Sequence, residues 1–470
     1  MLFPTLGFLM FFLVVAAAMT VLEHHFTAKK AVLVAASYFF YAQWDWHFCF
    51  LLAFSSAVSY VAGRLISASR DARRRRAVLI AAITIDLSLL GVFKYFDFFL
   101  VTANRLAHLL GLQQELPFLE IILPVGISFF TFHGISYITD VYRGEVAVCR
   151  NPIDMLLYIS FFPQLIAGPI VRASYFLPQL AAPGEEPIPI GAAFVLILGG
   201  LFKKAVIANY LATDLVDPVF AAPTSYGGPD LLLAVYGYAV QIYCDFSAYS
   251  DMAIGLAALL GFRFPPNFAQ PYRAQRLREF WRRWHISLST WLRDYLYKPL
   301  GGNRRGRFKT YRNLMITMLL GGIWHGAGWK FAMWGALHGG GLGVERLLEP
   351  WIGQRSATRG GKVIATLVVF HLVCLGWVFF RAEDFTVASL YLRGLGSGWA
   401  GGFQQAAPFT AGLIALGLAL QFTPPEWFER SANAFGRLPI WGLGTLAGVA
   451  VAAIDALGPS GVAPFIYFQF

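Results

Sequence analysis

Three histidines lie in parts of the sequence where an imidazole side chain is unexpected. His325 lies in the stretch GGIWHGAGW, His338 follows in WGALHG, and His285 lies within WRRWHISLSTW. An ionisable side chain inside an apolar segment usually marks a functional site. Imidazole is well suited to take a proton from a hydroxyl group near neutral pH. We therefore predict proton-transfer chemistry, and we place it first at His325, whose neighbouring glycines allow a substrate to approach closely.

A simpler interpretation of these histidines stays open, in which each one only hydrogen-bonds a neighbouring helix. Three carboxylates are likewise open to a structural or a functional interpretation. Asp245 and Asp251 lie in the apolar stretch QIYCDFSAYSD, and Asp140 ends another apolar stretch. Such acids either belong to a polar network between helices or line a path for protons or solutes. The second interpretation supports an alternative function, a transporter or acyl conduit without catalysis, although the sequence shows no internal repeat of the kind many transporters have.

Other catalytic signatures are missing from the sequence. The four cysteines include no CxxC pair and indicate neither a metal site nor a disulfide framework. The sequence contains no GxSxG, P-loop or HExxH motif. We therefore predict no metal site and no bound cofactor.

The composition predicts the elements that must position these residues. Of 470 residues, 57% are hydrophobic and 13% are charged, against roughly 25% charged residues in soluble domains. A bilayer accepts such apolar surface, and each crossing needs about 20 apolar residues. We predict an all-α, polytopic integral membrane protein with about ten to twelve transmembrane or re-entrant helices. The stretch Ile153–Ile170 contains Pro163, Gly168 and Pro169 and should be broken. We expect one domain over residues 1–470.

The charge pattern predicts the surroundings and the orientation. The net charge of +11 is concentrated in short loops such as Arg73–Arg76, which is typical of cytoplasmic loops and predicts contact with membrane lipid rather than nucleic acid. The apolar run Met1–Val21 has no basic residue before Lys29, so we expect a retained first helix. We predict a multi-pass protein of the bacterial inner membrane with its N-terminus outside the cytoplasm.

One basic segment, residues 263–311, differs from the rest of the chain. Its aromatic residues Trp281, Trp284 and Trp291 recur at helical spacing, while Arg282, Arg283 and Arg293 fall on the opposite side. This pattern predicts one amphipathic helix at the cytoplasmic face of the membrane, with His285 beside its apolar stripe.

Several long segments carry a resemblance to a known family. They are Gln241–Gly255, Trp281–Leu300 and Asn313–Gly339, together with the shorter motifs Phe161–Ile170, Phe379–Ala382 and Pro464–Phe470. The chain resembles the membrane-bound O-acyltransferases, in particular the bacterial branch that acts on alginate and teichoic acid. The resemblance implies a ring or funnel of helices around a central tunnel. It also implies that His325 is the catalytic histidine and His285 the second histidine of the site.

The same resemblance implies the substrates and a partner. A cytoplasmic thioester, most simply acetyl-CoA, gives up an acetyl group, and an extracytoplasmic partner with an SGNH-type hydrolase fold completes its transfer to an exported, alginate-like polysaccharide. D-alanyl, peptidoglycan or cellulose acyl transfer by the same mechanism are alternatives. The candidate contacts of donor or substrate are Trp281, Arg282, Arg283, Asn313, Trp324 and Asp245. The arginines suit the negative phosphates of such a donor.

Overall fold

The computed structural model describes residues 3–112, 121–181, 188–304, 306–355, 358–405 and 407–457. Within these ranges every regular element is a helix, which confirms the predicted all-α class. The helices of more than four residues are Leu6–Val21, Phe26–Ala42, Phe48–Ala68, Ala72–Leu109, Ile127–Arg143, Pro152–Ser160, Ala173–Ala181, Ile190–Ala221, Gly228–Leu259, Leu277–Arg283, Ile286–Trp291 with the π-helix Leu292–Tyr297 that continues it, Arg307–His325, Trp329–Arg355, Arg359–Arg381, Phe385–Gly394, Pro408–Phe422, Pro425–Gly436 and Ile440–Leu457. The terminal motif Pro464–Phe470 lies outside the described residues.

Several described helices are long and apolar enough to cross a membrane. There are five of them by length and composition: Phe48–Ala68, Ala72–Leu109, Ile190–Ala221, Gly228–Leu259 and Arg359–Arg381. Shorter apolar helices include Leu6–Val21, Pro408–Phe422 and Ile440–Ile454. These helices agree with a multi-pass membrane protein. The total of about ten to twelve crossings stays a prediction, because length and composition alone do not decide whether a short helix crosses.

The described chain forms two compact units. The first contains the residues up to Ile188 together with Leu259–Phe264. Its helix Ile127–Arg143 is buried along almost its whole length. The stretch predicted to be broken is indeed interrupted at Phe161, between the helix Pro152–Ser160 and a short helical turn that follows. Phe161 is fully buried, and burial in protein is one of the two settings in which non-helical backbone is tolerated at membrane depth.

The second unit contains Pro189–Ala258 and the residues from Pro265 onwards. Its helices Arg307–His325 and Trp329–Arg355 form a closely packed hairpin. A side-chain carbon at Gly322 would collide with the carbonyl oxygen of Phe331, and one at Gly335 with the carbonyl oxygen of Met318. Glycine at these two positions therefore allows the two backbones to touch and fixes the turn that carries His325. The single domain over residues 1–470 stays a prediction beside this division.

The predicted amphipathic helix within residues 263–311 is wrong as one continuous element. The chain instead forms Leu277–Arg283 and Ile286–Trp291, separated by an extended Trp284 and a left-handed His285 with a φ of 42°. A left-handed residue cannot continue a right-handed helix, so the helical periodicity of the tryptophans conceals a break. The predicted sidedness is present only in part: Trp284 and Trp291 are buried and Arg282 and Arg293 are exposed, whereas Trp281 and Arg283 are both half-buried.

Candidate active site

A cavity of about 1010 Å³ lies in the second unit, beside the turn of the helical hairpin. His325, Trp281 and Trp334 line it together with Gly321. Its basic lining residues are Arg276, Arg278, Arg282, Arg293, Lys298, Arg304 and Arg346. The cavity thus combines an imidazole and aromatic rings with a strongly basic lining, which suits a ligand that has both an apolar part and anionic groups.

His325 is the last residue of the helix Arg307–His325 and is only 4% exposed. Three aromatic rings meet its imidazole edge-on. The ring centroids of Trp324, Trp334 and Phe380 lie 5.0, 5.1 and 5.3 Å from that of His325. A helix C-terminus carries partial negative charge and stabilises a positive charge on a side chain there. The ring is therefore held in place where an imidazolium formed by proton uptake would be stabilised.

His285 occupies the break between the two short helices and is fully buried. Its Nδ1 lies 3.2 Å from Oδ1 of Asn267, and its ring lies 4.6 Å from that of Phe246. It belongs to none of the five candidate spans, and burial lowers the pKa of its imidazole to about 3 because a charged ring loses its hydration. His285 is therefore neutral at physiological pH.

The structure brings the three predicted histidines into one aromatic cluster, which consists of His285, Trp324, His325, Trp334, His338 and Trp281. Trp324 lies between His285 and His325, with ring centroids 6.3 and 5.0 Å away. Trp334 likewise lies between His325 and His338, at 5.1 and 4.7 Å. Of the three histidines, His325 lines the cavity. The other two are fully enclosed by protein in the described part of the chain.

The predicted donor contacts divide into two groups. Trp281 and Arg282 line the cavity. Arg283 does not, because its guanidinium pairs with Glu279 at 2.8 Å and donates to the carbonyl oxygen of Ala269 at 3.0 Å. Trp324 is also absent from the lining and instead separates two histidines, as described above. These two residues therefore shape the site from behind its surface.

Asn313 is fully buried and supports the wall of the cavity. Its Nδ2 donates to the carbonyl oxygens of Leu300 and Gly302, at 3.2 and 3.0 Å. Gly302 in turn lines the cavity. Since the described cavity lining does not include Asn313, its contribution is to fix the loop that follows Tyr297.

Asp245 forms a buried ion pair. Its Oδ1 lies 2.5 Å from Nζ of Lys204, and the two side chains are 4% and 3% exposed. Asp251 pairs with Lys203 at 2.5 Å in a more open position. Both lysines were overlooked in the sequence, although two adjacent lysines within an apolar helix should have indicated acidic partners. Asn267 was also overlooked, and Phe380 was noted only as part of the family motif Phe379–Ala382. No local sequence signal marks either residue as a neighbour of a histidine.

Comparison with known proteins agrees with this arrangement. The model of the membrane-bound O-acyltransferase family matches residues 144–380, which include all three histidines of the aromatic cluster. A probable alginate O-acetylase of Pseudomonas putida is 40% identical over 457 residues, which are 92% of each chain. This chain belongs to the membrane-bound O-acyltransferase family.

Further relatives are similar to this membrane-bound O-acyltransferase over shorter stretches of the chain. A probable alginate O-acetylase of Pseudomonas aeruginosa is 45% identical over 352 residues, 74% of this chain and 66% of its own length. A peptidoglycan O-acetyltransferase of Helicobacter pylori is 38% identical over 383 residues, 76% of this chain and 71% of its own. The family resemblance and the acyltransferase class predicted from the sequence are confirmed. Membership implies an acyl donor and a membrane setting.

Proposed function

We propose that this membrane-bound O-acyltransferase moves an acetyl group from cytoplasmic acetyl-CoA towards an alginate-like polysaccharide outside the cell. It would act in the bacterial inner membrane, with its N-terminus outside the cytoplasm. The observation that carries the proposal is the cavity lined by both His325 and a set of basic side chains. Two relatives named as probable alginate O-acetylases support the choice of acetyl group and acceptor.

In this proposal His325 is the general base. Its imidazole takes the proton of the acceptor hydroxyl while that oxygen attacks the thioester carbonyl carbon, the carbon–sulfur bond breaks, and the thiolate leaves. The end of the helix Arg307–His325 stabilises the imidazolium. Trp324, Trp334 and Phe380 hold the ring edge-on. Of these, Trp334 lines the cavity and limits the space for the acyl group, and Phe380 packs against both Trp334 and His325. His285, which is neutral, lies on the other side of the Trp324 ring from His325 and assists His325 from there.

The basic lining would bind the phosphates of the donor. Arg276 and Arg278 are compensated by Glu349, at 3.6 and 3.1 Å. The exposed side chains of Arg282, Arg304 and Arg346 are better placed to meet phosphate oxygens, and arginine recognises these through paired N–H donors. We expect this interaction to weaken as salt screens the charges.

The polysaccharide itself is too large for the cavity and too polar for the hydrocarbon core. Only the acetyl group and the one hydroxyl that accepts it need to meet at His325, and this hydroxyl would belong to a partner rather than to the polymer. We propose that an extracytoplasmic partner protein with an SGNH-type hydrolase fold accepts the acetyl group and completes its transfer to the polymer. This step would let a small group travel while the polymer stays outside.

The test uses purified protein, labelled acetyl-CoA, and an SGNH-type domain with polysaccharide as acceptor. His325→Ala should lower acetyl transfer by at least about 10²-fold, the lower end of what a positioned base contributes. The matched control is His371→Ala, because His371 is exposed and contacts Tyr236 through its Nε2 at 2.7 Å. Unchanged transfer by a folded His325→Ala protein would refute the assignment.

A second candidate differs in cargo or acceptor. The Helicobacter pylori relative is named as a peptidoglycan O-acetyltransferase, so peptidoglycan belongs in the same assay, with D-alanyl donors and cellulose as further arms. A conduit without catalysis predicts that neutralising Asp245 or Asp251 blocks transfer while His325→Ala does not. The lysine partners of both acids favour a structural role for them instead.

A further inference from the structure

Asn267 holds the chain at the break where His285 lies. Its backbone carbonyl accepts the N–H of Ile286 at 2.8 Å, and its side-chain Oδ1 accepts the N–H of Ser287 at 3.1 Å. The hydroxyl of Ser287 also donates to Oδ1, at 2.9 Å. The two peptide groups that follow the left-handed His285 are therefore both fixed by one residue. Asn267 is itself 1% exposed.

These contacts determine which way the Asn267 amide points. A backbone N–H can only donate, so the atom that it meets must be the amide oxygen. The amide nitrogen Nδ2 faces the other way and donates to the hydroxyl of Ser250 at 3.0 Å. Nδ1 of His285 faces this amide oxygen at 3.2 Å and the hydroxyl oxygen of Ser287 at 3.4 Å. Because the Ser287 hydroxyl donates its proton to Oδ1, both oxygens are acceptors towards Nδ1. A neutral imidazole that meets an acceptor through Nδ1 must carry its proton on that nitrogen.

We propose that Asn267 is a positioning residue that holds His285 as the Nδ1–H tautomer and so leaves the proton-accepting lone pair on Nε2. The proposal rests on the proposed acyl transfer, because it gives neutral His285 one nitrogen that can accept a hydrogen bond while His325 acts as the base. Phe246 meets the imidazole edge-on at 4.6 Å, and Phe268 stacks on it at 6.4 Å. With the ring plane held by aromatics and the tautomer set by an amide oxygen, the direction in which the ring accepts a hydrogen bond is fixed before any substrate arrives.

The kinetic test compares three variants of the full-length protein. Asn267→Leu removes the acceptor, and we expect kcat to fall about 10²-fold, the lower end of a positioned base's contribution, with little change in the KM for acetyl-CoA. Asn267→Asp keeps an oxygen towards Nδ1, and the hydroxyl of Ser250 can turn to donate to the second carboxylate oxygen. We expect it to recover most of kcat. Asn209→Leu is the control, since it removes another buried amide of the same unit.

The tautomer itself is read by nitrogen NMR of protein labelled with ¹⁵N-histidine, where the His285 signals are those lost in His285→Gln. We expect a protonated Nδ1 and an unprotonated Nε2 in the unsubstituted protein, and a loss of this preference in Asn267→Leu. A proton on Nε2 in the unsubstituted protein, or an Asn267→Leu protein with full kcat, overturns the proposal. Should Asn267→Leu fail to fold, the spectra of the unsubstituted protein and of Asn267→Asp still decide. The spectra need no substrate, so they are independent of whether His325→Ala abolishes transfer.

Discussion

The buried ion pair between Lys204 and Asp245 allows a sharp test of structure against chemistry. The substitution Asp245→Asn leaves the ammonium group of Lys204 without its counter-ion in a place where its side chain is only 3% exposed. Removing one partner of a buried pair costs about 3–5 kcal/mol of unfolding free energy. Since about 1.4 kcal/mol is a factor of ten, the ratio of folded to unfolded protein should fall at least about 10²-fold.

The second arm of the test removes both charges. Replacing a buried pair by apolar residues of similar volume is often neutral or stabilising, so Lys204→Met with Asp245→Leu should restore most of the lost stability. The control is Asp251→Asn. Its side chain is 29% exposed, and its partner Lys203 keeps a hydrogen bond to Ser247 at 2.9 Å. We therefore expect a smaller loss there.

The chain provides its own reporter for this assay. Cys149, Cys244 and Cys374 are buried, whereas Cys49 is half-buried. In a Cys49→Ser background a thiol-reactive fluorophore should therefore label the protein only as it unfolds in detergent micelles. Acetyl transfer is then measured per folded molecule. A single Asp245→Asn variant as stable as the unsubstituted protein would refute the structural role of the pair. A stable double variant that transfers no acetyl group would show that at least one of the two charges, on Lys204 or Asp245, takes part in the chemistry or the passage of the acyl group.

Three further predictions follow from the hairpin and the cavity. Gly335→Ala should lower the free energy of unfolding by about 1–3 kcal/mol through overpacking, because its new methyl group meets the Met318 carbonyl oxygen. Gly340→Ala is the control, since its methyl group faces open space. Equal unfolding midpoints for the two variants would contradict this prediction. The double variant Arg282→Gln, Arg304→Gln should raise the KM for acetyl-CoA about tenfold at low salt and less at high salt. Arg437→Gln is the control, because Arg437 is exposed and its substitution should leave the KM unchanged. A fall in kcat without a change in KM would argue against phosphate binding by these arginines. Phe380→Ala removes a ring 5.3 Å from that of His325 and should raise the preference for a butyryl over an acetyl donor about tenfold. Unchanged selectivity in a competition assay would show that this ring does not limit the size of the acyl group.

The sequence was most informative where composition alone decides the outcome. An apolar chain with basic loops predicts membrane helices, and glycine-flanked His325 predicts a site, because both signals are local. The break at His285 could not be predicted, since the tryptophans around it keep helical spacing and no glycine marks the left-handed residue. Its cause lies 18 residues away, in the hydrogen bonds of Asn267. Such contacts depend on tertiary packing, which periodicity does not record.

The residues of the cavity show the same division. Arg282 and Arg283 are neighbours in sequence with the same charge, yet Arg282 lines the cavity and Arg283 pairs with Glu279. The direction of each side chain follows from where the helix Leu277–Arg283 ends. A pattern of basic residues therefore predicts that an anionic ligand binds, and only the fold shows which arginines can reach it.

The pairing of Lys203 and Lys204 with acids on the next long helix has a consequence for how the chain is made. A lysine at the centre of a lone apolar helix opposes its insertion from the translocon by about 2.5–3.5 kcal/mol, and the helix Ile190–Ala221 carries two of them. Its counter-charges emerge from the ribosome only with the helix Gly228–Leu259. The two segments should therefore enter the lipid as a pair, so that the first waits in a protein-lined environment until the second has been synthesised.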